Sequence, residues 1–187
     1  PMIGGTTAFT QPLRVYSDLD AATAFGAGSW AHLMTRMAIT NNSLIRLSVM
    51  GLADSSSGVA ASGRLALTGT ATSQGVMTAT IAGVDYKVAV AKGEKAKDVA
   101  ARLNAVINGA TDCPATASVS ESTITLTAKC KGAIGNEINL TATNTAKDMT
   151  LSATAFANGA ENADLSAALA SVAGTHYHVR SEEHTSE

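Results

Sequence analysis

The chain has 187 residues, 45% of them hydrophobic, enough apolar material for a packed core in one ordinary domain or two small ones. Charged residues are only 15%, aromatics 4%, and the net charge is −2; the densest basic run is KGEKAK at 92–97, so electrostatic capture of nucleic acid is not indicated. No apolar run approaches the ~18–20 residues needed to span a bilayer, and no charged, apolar and cleavage regions in series suggest a secretory leader. A surface this poor in charge is weakly protected against association, which suits an assembly subunit better than a solitary enzyme.

In chain order, LRVYS (13–17) reads as a short strand and DLDAATAFG (18–26) as a helical turn or two. GSWAHLMTRMAITNN (28–42) has helical periodicity. Ser29 is placed to cap it, Trp30, Leu33, Met34 and Met37 share one face, and Asn41-Asn42 ends it. That face is expected to pack on a sheet, each side chain contributing about 1.5–3 kcal/mol. SLIRLSVMGL (43–52) favours a strand by composition, and ADSSSGVAASG (53–63) is a small-residue linker. Strands follow at RLALTGTAT (64–72), GVMTATIAG (75–83) and VDYKVAVAKG (84–93), with glycine-bearing turns between them. The helix EKAKDVAARLNAVINGA (94–110) carries a stripe of Ala96, Val99, Ala100, Leu103, Val106 and Ile107, with Gly109 at the C′ position. ATASVSE (115–121), STITLTAKC (122–130), INLTATNT (138–145) and MTLSATAF (149–156) are further strands. ANGAENADLSAALASVAG (157–174) returns to helix, with Asn162 or Asp164 as cap and Leu165, Ala168, Leu169 and Val172 as its face. THYHV (175–179) closes as a strand.

This order predicts an α/β core (β-α-β … α-β) interrupted by an inserted β-rich domain with one helix. The expected boundaries are 1–62 for the first part of the core, 63–157 for the insertion and 158–179 for the return to the core. The sequence opens PMIGG without an initiator methionine. Residues 180–187, RSEEHTSE, resemble the translation of a sequencing-library adapter, and they are set aside together with Glu182, Glu183 and His184.

The residues that invite a chemical reading each have a plainer one. Gly132 and Gly135 follow Lys129 and Lys131 and could imitate a phosphate loop. The spacing G-x-x-x-x-G-K-[ST] is missing, and Ile138, Leu140 and Ala142 alternate as in a strand, so no helix N-terminus follows. A turn with positive φ at Gly135-Asn136 is expected instead. His176 and His178 have strand spacing on one face but lack a third ligand. GAGS (26–29) lacks the third glycine of a dinucleotide loop and reads as a turn and helix cap. Asp18 and Asp20 fit a helix N-terminus rather than a catalytic pair, and Ser166 and Ser171 lack G-x-S-x-G context. Cys113 and Cys130 are not in CxxC spacing; two buried or half-buried thiols in a reducing compartment fit them better than a disulfide between neighbouring strands. No nucleophile, base and orienter assemble, so no catalytic, cofactor or metal site is assigned.

Several segments in series carry a family resemblance. AATAFGAGSWAHLMTRMAITNNSLIRLSVMGLAD (21–54) resembles the part of the Mu-type contractile phage tail sheath family with an F-G-x-G-S turn, a methionine-bearing helix and an apolar strand. ASGRLALTGTAT, IAGVDYKVAVAKG, ARLNAVINGATDCPATASV and TITLTAKCKGAIGNEINL resemble, in order and spacing, that family's inserted domain. NGAENADLSAALASVAGTHYHV is similar to the return into the main fold. The resemblance covers residues 12–179. It implies a non-enzymatic virion subunit, assembled in the bacterial host cytoplasm, that polymerises with its own copies round a tail tube. The sleeve then contracts to drive the tube through the host envelope. It implies no cofactor, nucleic acid or membrane partner. The family's N-terminal arm and large C-terminal portion have no counterpart here, so residues 1–179 alone are expected to stay monomeric or associate weakly. A module of flagellar hook-associated proteins and flagellins is similar to residues 64–145 but leaves the first sixty unexplained.

Overall fold

A computed structural model describes residues 11–176. The PMIGG opening, the end of the THYHV segment with His178, and the 180–187 tail with Glu182, Glu183 and His184 lie outside the described residues. The chain divides into two compact units, Pro1–Asp54 with Ala163–Glu187, and Ser55–Asn162. Among the described residues no helix is long and apolar enough to cross a membrane.

In the first unit, strand β1 (Leu13–Val15) pairs antiparallel with β2 (Leu47–Val49), Val15 opposite Leu47. Between them lie helix α1 (Asp18–Phe25) and helix α2 (Trp30–Asn41). Ser17 caps α1 by accepting from the Asp20 N–H, and Ser29 caps α2 by accepting from the His32 N–H. Val15, Ala21, Ala24, Phe25 and Ala31 form the core, with Leu13 and Val49 packed against it.

The face of α2 that the sequence predicts to be buried is not the buried one. Ala31, His32 and Thr35 are inside, Met34 and Met37 are exposed, and Trp30 and Leu33 are half-buried. The cause is polar: His32 is held on both ring nitrogens and Thr35 donates to the Ala31 carbonyl at 2.7 Å, so these groups enter the interior fully satisfied. Helix α4 (Ser166–Val172) is shorter than predicted and buries no residue. Asp164 accepts from the Ser166 N–H at 2.9 Å, whereas Asn162 serves the other unit.

The second unit holds strands β3 (Ala60–Gly69), β4 (Gly75–Ile81), β5 (Val84–Val90), β6 (Ala115–Ser120), β7 (Thr123–Lys131), β8 (Leu140–Asn144) and β9 (Met149–Ala157), with one long helix, α3 (Ala96–Gly109). Their sheets run β6-β7-β3-β9 and β5-β4-β8, antiparallel throughout. Strand β3 begins inside the predicted linker. Period-2 alternation sends Leu65 and Leu67, Met77, Ala79 and Ile81, and Ile124 and Leu126 inward. Strand β8 lies beside β9, and α3 packs on β5, β6, β3 and β7, closing the remaining side of the sandwich.

Helix α3 buries Ala96, Val99, Ala100, Leu103 and Ile107, while Val106 of the predicted stripe is exposed. Gly109 is its last helical residue and not a left-handed cap; Ala110 follows with φ −88°. Polar side chains of α3 reach the β5 and β6 edges of the two sheets. Arg102 donates to the Ala89 carbonyl of β5 at 2.7 Å. Asn108 donates to the Ala117 carbonyl of β6 at 2.8 Å and accepts its N–H at 2.9 Å. The β5 and β6 edges are thereby blocked where the helix reaches them.

Candidate functional surfaces

The glycine-rich stretch after β7 is a structural clasp. Gly132 has φ 117°, and a Cβ there would lie 2.7 Å from Asn162 Oδ1, so a side chain is barred on both counts. The positive φ thus falls at Gly132 and not at Gly135-Asn136. Gly135 sits in a 3-10 turn (Ala133–Glu137) where its constraint is room: an added Cβ would meet the Ala61 Cβ at 2.8 Å. Asn136 grips Gly159 both ways, donating to its carbonyl at 3.1 Å and accepting its N–H at 2.8 Å. Val59 and Ala160 exchange backbone hydrogen bonds at 2.9 and 3.1 Å, joining the entry and exit of this unit.

The N–H groups a phosphate would need are consumed. Gly132 donates to Val59 O, Ile134 to Asn162 Oδ1 and Gly135 to Gly132 O. The loop holds chain rather than anion.

The GAGS stretch is likewise a turn. Gly28 N–H donates to His32 Nδ1 at 3.0 Å, which fixes the His32 proton on Nε2, and Nε2–H donates to Asp18 Oδ1 at 2.9 Å. Arg36 Nε reaches the same oxygen at 3.1 Å. Asp18 therefore ties the start of α1 to α2, while Asp20 accepts from the Tyr16 N–H at 3.3 Å. The two carboxylates serve separate local partners rather than one substrate. Ser171 Oγ donates to Ala168 O at 2.7 Å. His176 is exposed, and among the described residues no group of three or more His, Cys, Asp or Glu could hold a metal ion. Cys113 and Cys130 are buried and not joined by a disulfide.

Two apolar surfaces remain. On the first unit, Tyr16 (77% exposed), Leu19 (73%), Met37 (62%), Leu44 (90%) and the less exposed Met34 and Ile45 present large apolar side chains to solvent. So many on a small unit exceed the scattered single exposures that are ordinary on a protein surface. On the second unit, an open groove of about 1020 Å³ runs between β4, β5 and α3, walled by Val76, Val88, Val90, Ala105 and Val106. Its charged members are Arg102 and Glu94, and they bind one another. The hydrogen bond from Arg102, then that from the Ala91 N–H, lowers the Glu94 carboxyl to about 2. The pair is already satisfied and gives the groove no reactive group.

The described residues thus present exposed apolar side chains, a groove whose charged pair is already satisfied, and an Asp18–His32–Arg36 cluster spent on joining α1 to α2. No protein-family model matches the chain. It is 36% identical over 173 residues to the Mu-like prophage FluMu tail sheath protein of Haemophilus influenzae (strain ATCC 51907 / DSM 11121 / KW20 / Rd). The alignment covers 90% of this chain and 36% of that relative, so the chain spans about a third of the relative's length. Over the matched residues the chain belongs to the Mu-type tail sheath family. An alignment this long extends past residues 64–145 into the first sixty, which the flagellar module does not explain.

Proposed function

We propose that this chain is part of a subunit of a contractile phage tail sheath. The subunit polymerises with its own copies around the tail tube, and the sleeve contracts to drive the tube through the host envelope for genome delivery. The observation that carries this reading is the 36% identity over 90% of the chain to a protein named as a tail sheath. Work of this kind comes from a switch between two packings of the same interfaces rather than from bond chemistry. The subunit assembles in the bacterial cytoplasm, resides in the virion tail and acts without catalysis.

Within it, Ser55–Asn162 is an outward decoration inserted into an α/β core to which α1, α2 and α4 belong. The Val59–Ala160 bridge supports this reading, because a unit whose ends meet enters and leaves a host fold at one point. The exposed Leu19, Met34 and Met37 side chains are then contact material for the remainder of the core and for neighbouring subunits.

The test uses the full-length protein that contains this segment. Negative-stain electron microscopy is expected to find tubes, and to find them still when 60–159 is replaced by a short Gly-Ser link. Met34→Lys with Met37→Lys is expected to abolish them. Absence of any helical polymer from the full-length protein refutes the sheath reading; loss of polymer on removing 60–159 refutes the decoration.

A further inference from the structure

Continued two residues past its last pair, Ala115 with Ala128, the β6–β7 register sets Cys113 against Cys130. Ala115 pairs with Ala128, and the Lys129 N–H donates to the Pro114 carbonyl at 2.8 Å, extending the ladder by one pair. Pro114–Lys129 is thus the hydrogen-bonded kind of pair, and the next pair outward, Cys113 with Cys130, is the non-bonded kind. Opposing Cα atoms in such pairs lie about 4.5 Å apart, within the span a disulfide bridges. The outer edge of β6 agrees with this phase: Asn108 takes both backbone groups of Ala117, which its pairing with Leu126 turns away from β7.

Both thiols are buried. Ile124, Leu126, Ala128 and Cys130 alternate inward along β7, and Cys113 and Ala115 are buried opposite them, leaving the cysteines 1% and 2% exposed. The ammonium of half-buried Lys129 donates to the Thr111 carbonyl at 2.7 Å. Burial lowers its pKa, while attraction to Cys113, Asp112 and Cys130 opposes that fall.

We propose that Cys113 and Cys130 form an oxidisable dithiol, a modification site at which a low-molecular-weight disulfide installs a cross-strand bridge. One cysteine sulfur, as thiolate, attacks the small disulfide; a mixed disulfide forms and one small thiolate leaves. The second cysteine sulfur attacks the protein sulfur of that adduct, the bridge forms and the other small thiolate leaves. The two protons lost by the cysteines end on the two small thiols, and the two electrons given up by the dithiol reduce the small disulfide. Access needs only local opening of the connection between α3 and β6. Cys113 lies beyond the ladder's end there, held by its N–H to Ala110 O at 3.1 Å and by the Pro114–Lys129 bond.

The experiment treats the intact, undenatured chain with glutathione disulfide at neutral pH, followed by intact-mass and peptide mapping. The expected product is a monomer lacking two hydrogens, with Cys113 joined to Cys130. Its melting temperature should rise by about 10 °C, reversed by dithiothreitol, because the bridge restricts the unfolded chain. Cys113→Ser and Cys130→Ser are each expected to stop at or before the glutathione adduct. No mass change, a wild-type adduct that never advances, a cross-linked dimer, or an unchanged or lowered melting temperature each overturns the proposal.

Discussion

Replacing Asn136 by alanine is expected to open the neck of the second unit while leaving its sandwich folded. The side chain makes two hydrogen bonds to Gly159, at 2.8 and 3.1 Å, in a partly buried setting. Each is worth about 1 kcal/mol net, and the Gly159 N–H left unsatisfied adds to the loss, giving about 2–3 kcal/mol. For a unit of this size that corresponds to a fall of about 10 °C in its melting temperature. Calorimetry reads the global effect, and amide exchange locates it. Val59, Gly159 and Ala160, whose N–H groups bond across the neck, should lose protection before Met77 or Leu126 does. The neighbouring exposed Glu137→Ala serves as control and should stay within about 0.5 kcal/mol of the parent. An Asn136→Ala protein that melts within about 2 °C of the parent, with unchanged exchange at Val59 and Ala160, would refute the clasp.

On α3, Leu103→Ala should cost about 2–5 kcal/mol, because the side chain is fully buried, and Val106→Ala under about 1 kcal/mol. Equal losses in denaturant melts would mean that the helix is rotated. Gly135→Ala should destabilise by about 1–3 kcal/mol by forcing Ala61 aside, an overpacking effect read in the same melts. Glu94 has its carboxyl lowered from 4.5 to about 2, first by Arg102 and then by the Ala91 N–H. Its contribution is therefore present above pH 4.5 and lost as pH falls towards about 2. Glu94→Gln should flatten the loss of stability across that window, and an unaltered pH profile would count against the pairing.

The strands were legible because alternation is local. Thr78 and Ala79, or Thr125 and Leu126, declare their faces through period 2 alone, and β4 and β7 fall where the alternating segments do. Helices α1, α2 and α3 were likewise visible, with Ser29 capping as its position implied. The clasp and the guarded edges left no such signal. Asn136 binds Gly159, and Asn108 binds Ala117, through partners distant in sequence, and an asparagine reads in the chain as a turn residue or a helix end. The start of β3 was missed because AASG looks like linker; small residues are needed there to let Gly135 approach Ala61.

What the sequence settled by itself was a β-rich segment with one amphipathic helix, a charge-poor exterior and a likeness to one family. Periodicity, composition and ordered motifs all lie along the chain. Which face of α2 turns inward was decided only by tertiary structure. Trp30, Leu33, Met34 and Met37 make a sound apolar stripe, yet His32 is the buried residue, because Gly28 and Asp18 satisfy both of its nitrogens. A hydrophobic stripe marks a side that a helix can bury, and on α2 the fold turned another side inward. A polar side chain whose hydrogen bonds are all made is as admissible in a core as a methionine.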